Sequence, residues 1–405
     1  MKRRLLASLL TLVMMLNLLP TVAWARNDEG IDADSVEMYS SDDVVTSGPI
    51  TLWTGKEGQI TVPEENEVRS SNADIVSVEQ DGTAVTLTGG SKEGRAEVTA
   101  GESTWVVYNY ASEAEYNYLY SLFHGKTISV MGDSISTIKD KIPSGNALYY
   151  DNTTGKEMTF ERNYWGDIIT RFGAVEGIDE AWSGSTIGSK AASMASKDRI
   201  NKLDDNGTPD VILYYGGSNP DSSVGTFNPD ADYAKTVDWA KSYSDTASAY
   251  AASLQRMKET YPDAEIIAII PYYEQNNIPK QAEVIEQIAK HYDITTIDLR
   301  ELRNQEGISP NNALHPNMDG HSQIAAYICQ QLYEQRAVTP DEKTVTYNAN
   351  GGSFKNGSDP IKQSVTAEGH PRRLRLCGLV RSGCWREQDC IRSGHGDSLW
   401  HAGQP

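Results

Sequence analysis

The chain has 405 residues, with 36 Lys and Arg against 56 Asp and Glu and a formal net charge of −20. So acidic a surface excludes nucleic acid and anionic membranes as natural partners, because both would be repelled. Four cysteines are too few for a disulfide framework, so a chain of this length must hold together by burying a large apolar core.

The first residues read as a leader. Lys2, Arg3 and Arg4 precede an apolar run over 5–19, and Ala23-Trp24-Ala25 follows as a small-residue cleavage site. That run is short for a membrane span, so residues 1–25 are expected to be a secretory signal peptide and the mature protein to be exported. Residues 26–47 are acidic and without period, a flexible linker. Over 48–110 the runs "ITLWTG", "GQITVP", "DIVSVEQDG", "AVTLTGG" and "RAEVTAG" are short and β-branched, separated by Gly, Pro, Asn and Asp. They predict a small all-β sandwich.

Residues 111–126 predict a linking helix, and from 127 strands and helices alternate. "TISVM", "PDVILYY", "AEIIAII" and "ITTIDL" are apolar strands, while "NYWGDIITRFG", residues 245–261, "KQAEVIEQIAKHY" and "GHSQIAAYICQQLYEQR" have helical spacing. Apolar strands that alternate with helices predict a parallel sheet covered on both faces, an α/β fold that runs to about residue 338. Residues 339–369 contain "VTYNANGG"; from 370 to 405 the chain turns Arg-rich and carries Cys377, Cys384 and Cys390 with no strand or helix period. With His370 and His395 these cysteines match no common zinc spacing. The abrupt change is what an interrupted reading frame would produce, and the tail is expected to be disordered.

The candidate chemistry begins at "VMGDSIS", where an apolar strand stops at Gly-Asp-Ser and presents Ser134. Open α/β sheets bind ligands at the carboxyl ends of their strands. Later strand ends and loops carry Gly184 in "AWSGSTIG", Asn219 after "YYGGS", and His315 in "NNALHPN". Asp133 reads as a turn-forming residue, and His321 and His291 as structural. Tyr149, Tyr150, Tyr164, Trp165 and Trp182 read as core or wall, some of them suited to stacking on a sugar. No Gly-rich phosphate loop and no metal-ligand cluster stands out, so no cofactor and no metal are expected.

In these four motifs, and in their order, residues 127–336 resemble the SGNH/GDSL hydrolase family. The resemblance implies a three-layer α/β/α sandwich with a flavodoxin-like parallel sheet. It implies Ser134 as nucleophile, His315 as general base, and an oxyanion hole made by the backbone N–H groups of Ser134 and Gly184 and the side-chain amide of Asn219. The family carries Asp three residues before the histidine, where this chain has Asn312. Asn312 can orient the imidazole but lends it no negative charge; a carboxylate from elsewhere, or a weakened enzyme, are the other readings. The segment "SSNADIVSVEQDGTAVTLTGGSKEGRAEVTA" resembles bacterial immunoglobulin-like domains of group 2, and "VTYNANGG" resembles the start of an internalin-type surface repeat. Together these imply a secreted or surface-associated serine esterase that acts on acyl esters, O-acetyl groups on extracellular polysaccharide foremost, with glycan or cell-surface contact through the immunoglobulin-like domain. The alternatives are a lipase or lysophospholipase, which the polar insertion over 137–163 does not favour, and a non-catalytic glycan-binding or adhesive protein on an esterase scaffold.

Overall fold

The computed structural model describes residues 49–188, 192–233, 245–274, 276–305, 307–308 and 314–337, and the backbone of 342–347 and 361–366. The expected signal peptide, the acidic linker, Asn312 and the Arg- and Cys-rich tail lie outside the described residues.

Seven strands come first: β1 (Ile50–Trp53), β2 (Glu57–Thr61), β3 (Val68–Ser70), β4 (Val76–Asp81), β5 (Ala84–Gly89), β6 (Gly94–Ala100) and β7 (Ser103–Tyr110). They form one sheet in the order β1-β7-β6-β3 and a second in the order β2-β5-β4. Period-two alternation buries one face of each. Leu52, Val98 and Val107 of the first sheet meet Ile60, Val76, Val85 and Leu87 of the second in a common cluster.

Helix α1 (Glu113–Phe123) links this module to the larger part. There, strand β8 (Thr127–Gly132), helix α2 (Tyr164–Phe172), strand β9 (Val175–Ala181), the short helix α3 (Lys197–Ile200) and strand β10 (Val211–Tyr215) are followed by α4 (Thr246–Thr260), β11 (Glu265–Ile270), α5 (Ile278–His291), β12 (Thr295–Asp298) and α6 (Met318–Arg336). The five strands are parallel, in the order β12-β11-β10-β8-β9. Counted within this sheet, that is the 2-1-3-4-5 order of flavodoxin-like folds, and its topological switch point lies between β8 and β10. Alternate strand residues face opposite layers. Val130, Leu213 and Ile267 pack with α1, α2 and α6, whereas Met131, Ile212 and Ala268 pack with α3, α4 and α5. The fold is therefore the three-layer α/β/α sandwich expected from the sequence.

Strand β9, "VEGIDEA", was not among the expected strands. Its three apolar residues do not alternate, and it buries Asp179 and Glu180 at the sheet edge. The β module also packs against the α/β part. Tyr108 and Tyr110 of β7 belong to the apolar cluster that holds α1, α2 and α6, and the Arg171 guanidinium of α2 lies 4.4 Å from the Tyr108 ring centroid. Arg171 is paired with Asp167 at 2.7 Å, and both side chains are buried. Farther along the chain, β13 (Glu342–Tyr347) and β14 (Ile361–Thr366) pair as an antiparallel ribbon.

Candidate active site

The sheet delivers three chain segments to its switch point. Strand β8 ends at Gly132, where a Cβ would run into the side chain of Ser136; glycine lets the chain fold back tightly there. Asp133 then accepts a hydrogen bond from the Ile135 N–H at 3.1 Å, which closes an Asx turn and presents Ser134. The other Asp133 oxygen accepts from the Ser218 N–H at 3.3 Å, so this carboxyl ties the β8 turn to the loop after β10. Burial raises the Asp133 carboxyl to about 6, against the pull of these hydrogen bonds.

The loop after β10 carries Asn219. Gln281, buried on α5, spans it: its amide N–H groups donate to the carbonyls of Gly217 and Asn219, both at 3.1 Å, and its oxygen accepts from the Asp221 N–H at 2.7 Å. Asn219 in turn donates from Nδ2 to the Ser185 carbonyl at 2.9 Å, next to Gly184, which leaves the second amide hydrogen for a ligand.

Gly184 follows β9. The Ser185 N–H donates to the Trp182 carbonyl at 3.0 Å, and Gly184 has φ +79, the third position of a type II turn. A Cβ there would meet nothing within 4 Å. Backbone conformation, rather than crowding from the protein, therefore calls for glycine at this position. Among the described residues neither the Ser134 N–H nor the Gly184 N–H has a hydrogen-bond partner. Buried Arg199 braces the region from beneath: it donates to the carbonyls of Gly132 at 3.0 Å and Ala192 at 2.7 Å, and also to that of Glu180.

His315 arrives just before α6, whose N-cap Asn317 accepts from the Gly320 N–H at 2.9 Å. Its Nε2 lies 2.8 Å from Ser134 Oγ. Burial, and then the charge of Lys156, push the imidazole down to about 4, so the ring is neutral at neutral pH and able to accept a proton. His321 on α6 is fully buried and pushed down to about 3, chiefly by burial.

The structure thus brings Ser134 and His315 into direct contact and links the Asn219 amide to the Gly184 turn. Asp133, Gln281 and Arg199 brace these loops. The "GDS" sequence carried a turn signal for Asp133; Gln281 and Arg199 had none beyond being polar residues in mixed stretches. Among the described residues no group of three or more His, Cys, Asp and Glu side chains could hold a metal ion.

A seryl hydroxyl in reach of a neutral imidazole, with unpartnered N–H groups close by, is the equipment of a serine hydrolase. The GDSL-like lipase/acylhydrolase family model matches residues 126–332, just over half of the chain, and the protein belongs to that family of hydrolases. Similar solved structures include a protein assigned as a GDSL-like lipase from Bacteroides ovatus (23% identity over 53% of this chain and 99% of that one, TM-score 0.42). A second, from Bacteroides uniformis, has 25% identity over 53% and 96%, with TM-score 0.40. A family two carbohydrate esterase from Clostridium thermocellum, solved with cellohexaose, has 13% identity over 71% and 94%, with TM-score 0.37. No curated protein matches the chain.

Proposed function

We propose that this hydrolase is a secreted serine esterase that removes short acyl groups, O-acetyl groups foremost, from extracellular glycans. The observation that carries the catalytic part is the 2.8 Å contact between Ser134 Oγ and His315 Nε2. Ser134 Oγ attacks the ester carbonyl carbon while its proton passes to His315 Nε2. The N–H groups of Ser134 and Gly184 and the Asn219 amide hold the oxyanion. Collapse expels the alcohol, which takes the proton from His315. A water molecule, activated by the same imidazole, then releases the acyl group as a carboxylic acid. Asn312 is assigned to orient the imidazole through its amide oxygen.

The preference for short acyl groups rests on surface chemistry. A long acyl chain needs an apolar lid or groove to receive it, and the insertion over 137–163, "TIKDKIPSGNALYYDNTTGKEMTFERN", is polar. Export rests on the leader-like residues 1–25. Glycan or cell-surface contact is assigned to the β module, on its resemblance to immunoglobulin-like domains, and residues 339–369 are assigned as a partial surface repeat.

A series of p-nitrophenyl esters from acetate to palmitate, run beside acetylated xylan with released acetate measured, tests this reading. The expected result is highest kcat/KM for acetate and measurable release from the polysaccharide. A maximum at long chains would favour the lipase alternative, and no turnover of any ester would overturn the esterase assignment.

A further inference from the structure

We propose that Tyr149, Tyr150 and Tyr272 are positioning residues that hold the imidazole of His315 in register with Ser134, a role that rests on the reading of His315 as the general base. The first contact is face to face: the rings of Tyr149 and His315 stack with centroids 3.4 Å apart and planes 10° from parallel. Such a stack fixes the plane of the imidazole but leaves its nitrogen edges free for chemistry, and rotation of the histidine ring would have to break it. Tyr149 is itself registered to the nucleophile. Its N–H donates to Thr137 Oγ1 at 3.1 Å, and that hydroxyl donates to the Ser134 carbonyl at 2.8 Å. Ser134, Thr137, Tyr149 and His315 therefore form a closed circuit of contacts, completed by the 2.8 Å approach of Nε2 to Oγ.

The backbone that carries the ring is pinned on both sides. The Tyr272 hydroxyl donates to the Leu314 carbonyl at 2.6 Å, and the Tyr150 hydroxyl donates to the Pro316 carbonyl at 2.8 Å. The second bond has a fixed direction. The Tyr164 N–H donates to His321 Nδ1 at 3.2 Å, so neutral His321 carries its proton on Nε2. His321 Nε2 then donates to the Tyr150 oxygen at 2.9 Å, and Tyr150 must pass its own hydrogen on to Pro316. In serine–histidine pairs a third group usually orients the imidazole; here stacking and two pinned carbonyls add to the orientation assigned to Asn312.

The variants Tyr149→Leu, which loses the flat face, and Tyr149→Phe, which keeps it, separate stacking from the hydroxyl. The full-length protein is used with p-nitrophenyl acetate. Tyr149→Leu is expected to lose roughly 10- to 100-fold in kcat with KM within about threefold, the scale on which misplaced catalytic groups act. Its acid limb should move up as the ring regains water. The other groups around the imidazole, Lys156, His321, Tyr150 and Ser134, are unchanged in it. Tyr149→Phe should stay close to wild type in rate and limb. The double variant Tyr150→Phe/Tyr272→Phe should lose kcat without a comparable change in KM. An undiminished Tyr149→Leu, equal damage in Leu and Phe, or a rise in KM alone would overturn the proposal. Labelling by a fluorophosphonate keeps the two readings apart. A wild type that is not labelled at Ser134 would overturn the Ser134–His315 assignment; a labelled wild type beside an undiminished Tyr149→Leu would overturn positioning alone.

Discussion

His315 Nε2 stands 2.8 Å from Ser134 Oγ, although 181 residues separate them in the chain. The parallel sheet makes the meeting possible. Ser134 follows strand β8, and His315 precedes α6, which packs in the layer that covers one face of the same strands.

Asn219→Ala should lower kcat by about 10²- to 10³-fold with a smaller effect on KM, the cost of one lost oxyanion donor. Steady-state kinetics on p-nitrophenyl acetate measure it. The fold should hold, because the Gln281 bonds to this loop reach backbone groups of Gly217, Asn219 and Asp221 rather than the Asn219 side chain. An unchanged kcat would remove Asn219 from the site.

The pH profile follows from the neutral imidazole. His315 must be unprotonated to act as base, and burial together with Lys156 holds it near 4, below the ordinary 6.5. The kcat/KM profile should therefore stay flat well below pH 6 and fall only as the pH approaches about 4. Lys156→Met removes a positive charge that disfavours the imidazolium, so it should move this limb upward. A limb at the ordinary histidine value in both proteins would contradict the burial of the ring.

His321 makes a stability prediction with a definite sign. Its folded value of about 3 lies below the ordinary 6.5, so between these two pH values the unfolded chain binds a proton that the folded protein refuses. Its contribution is complete above about 6.5 and is lost as the pH falls toward 3. Denaturant melts of wild type and His321→Gln should show a stability gap that narrows between pH 7 and pH 4. A gap that is constant or widens on acidification would contradict a neutral, buried His321.

Tyr108→Ala tests whether the β module is part of the hydrolase core. The ring is 1% exposed and covers the buried Arg171–Asp167 pair. Its loss should cost about 3–5 kcal/mol, the range for truncating a buried aromatic, and should appear as a lower Tm. At low temperature kcat should remain near wild type. A loss below about 1 kcal/mol would mean that the module packs loosely.

Much of this was legible in the chain. Apolar strands such as "VILYY" and "EIIAII" are buried on both faces and announce a parallel sheet. Strand β9 was hidden, because acidic residues that normally mark surface are buried in it, Asp179 with its carboxyl raised well above the usual range by burial. Ser134, Gly184, Asn219 and His315 were found through short motifs at strand ends. For Tyr149 and Tyr150 the sequence shows only core or wall, or a face for stacking on a sugar, and it does not single out Tyr272, since an aromatic reads as core unless its ring partner is known. The bracing by Gln281 and Arg199 depends on backbone carbonyls brought close only by folding.

The most direct test is to give the full-length protein a fluorophosphonate and locate the adduct by peptide mass, alongside kinetics of Ser134→Ala. A single adduct is expected on the peptide containing Ser134, none in the variant, and a fall in kcat of at least about 10³-fold, with the fold intact by circular dichroism. An adduct on another residue, or retained turnover in purified Ser134→Ala, would contradict Ser134 as the nucleophile.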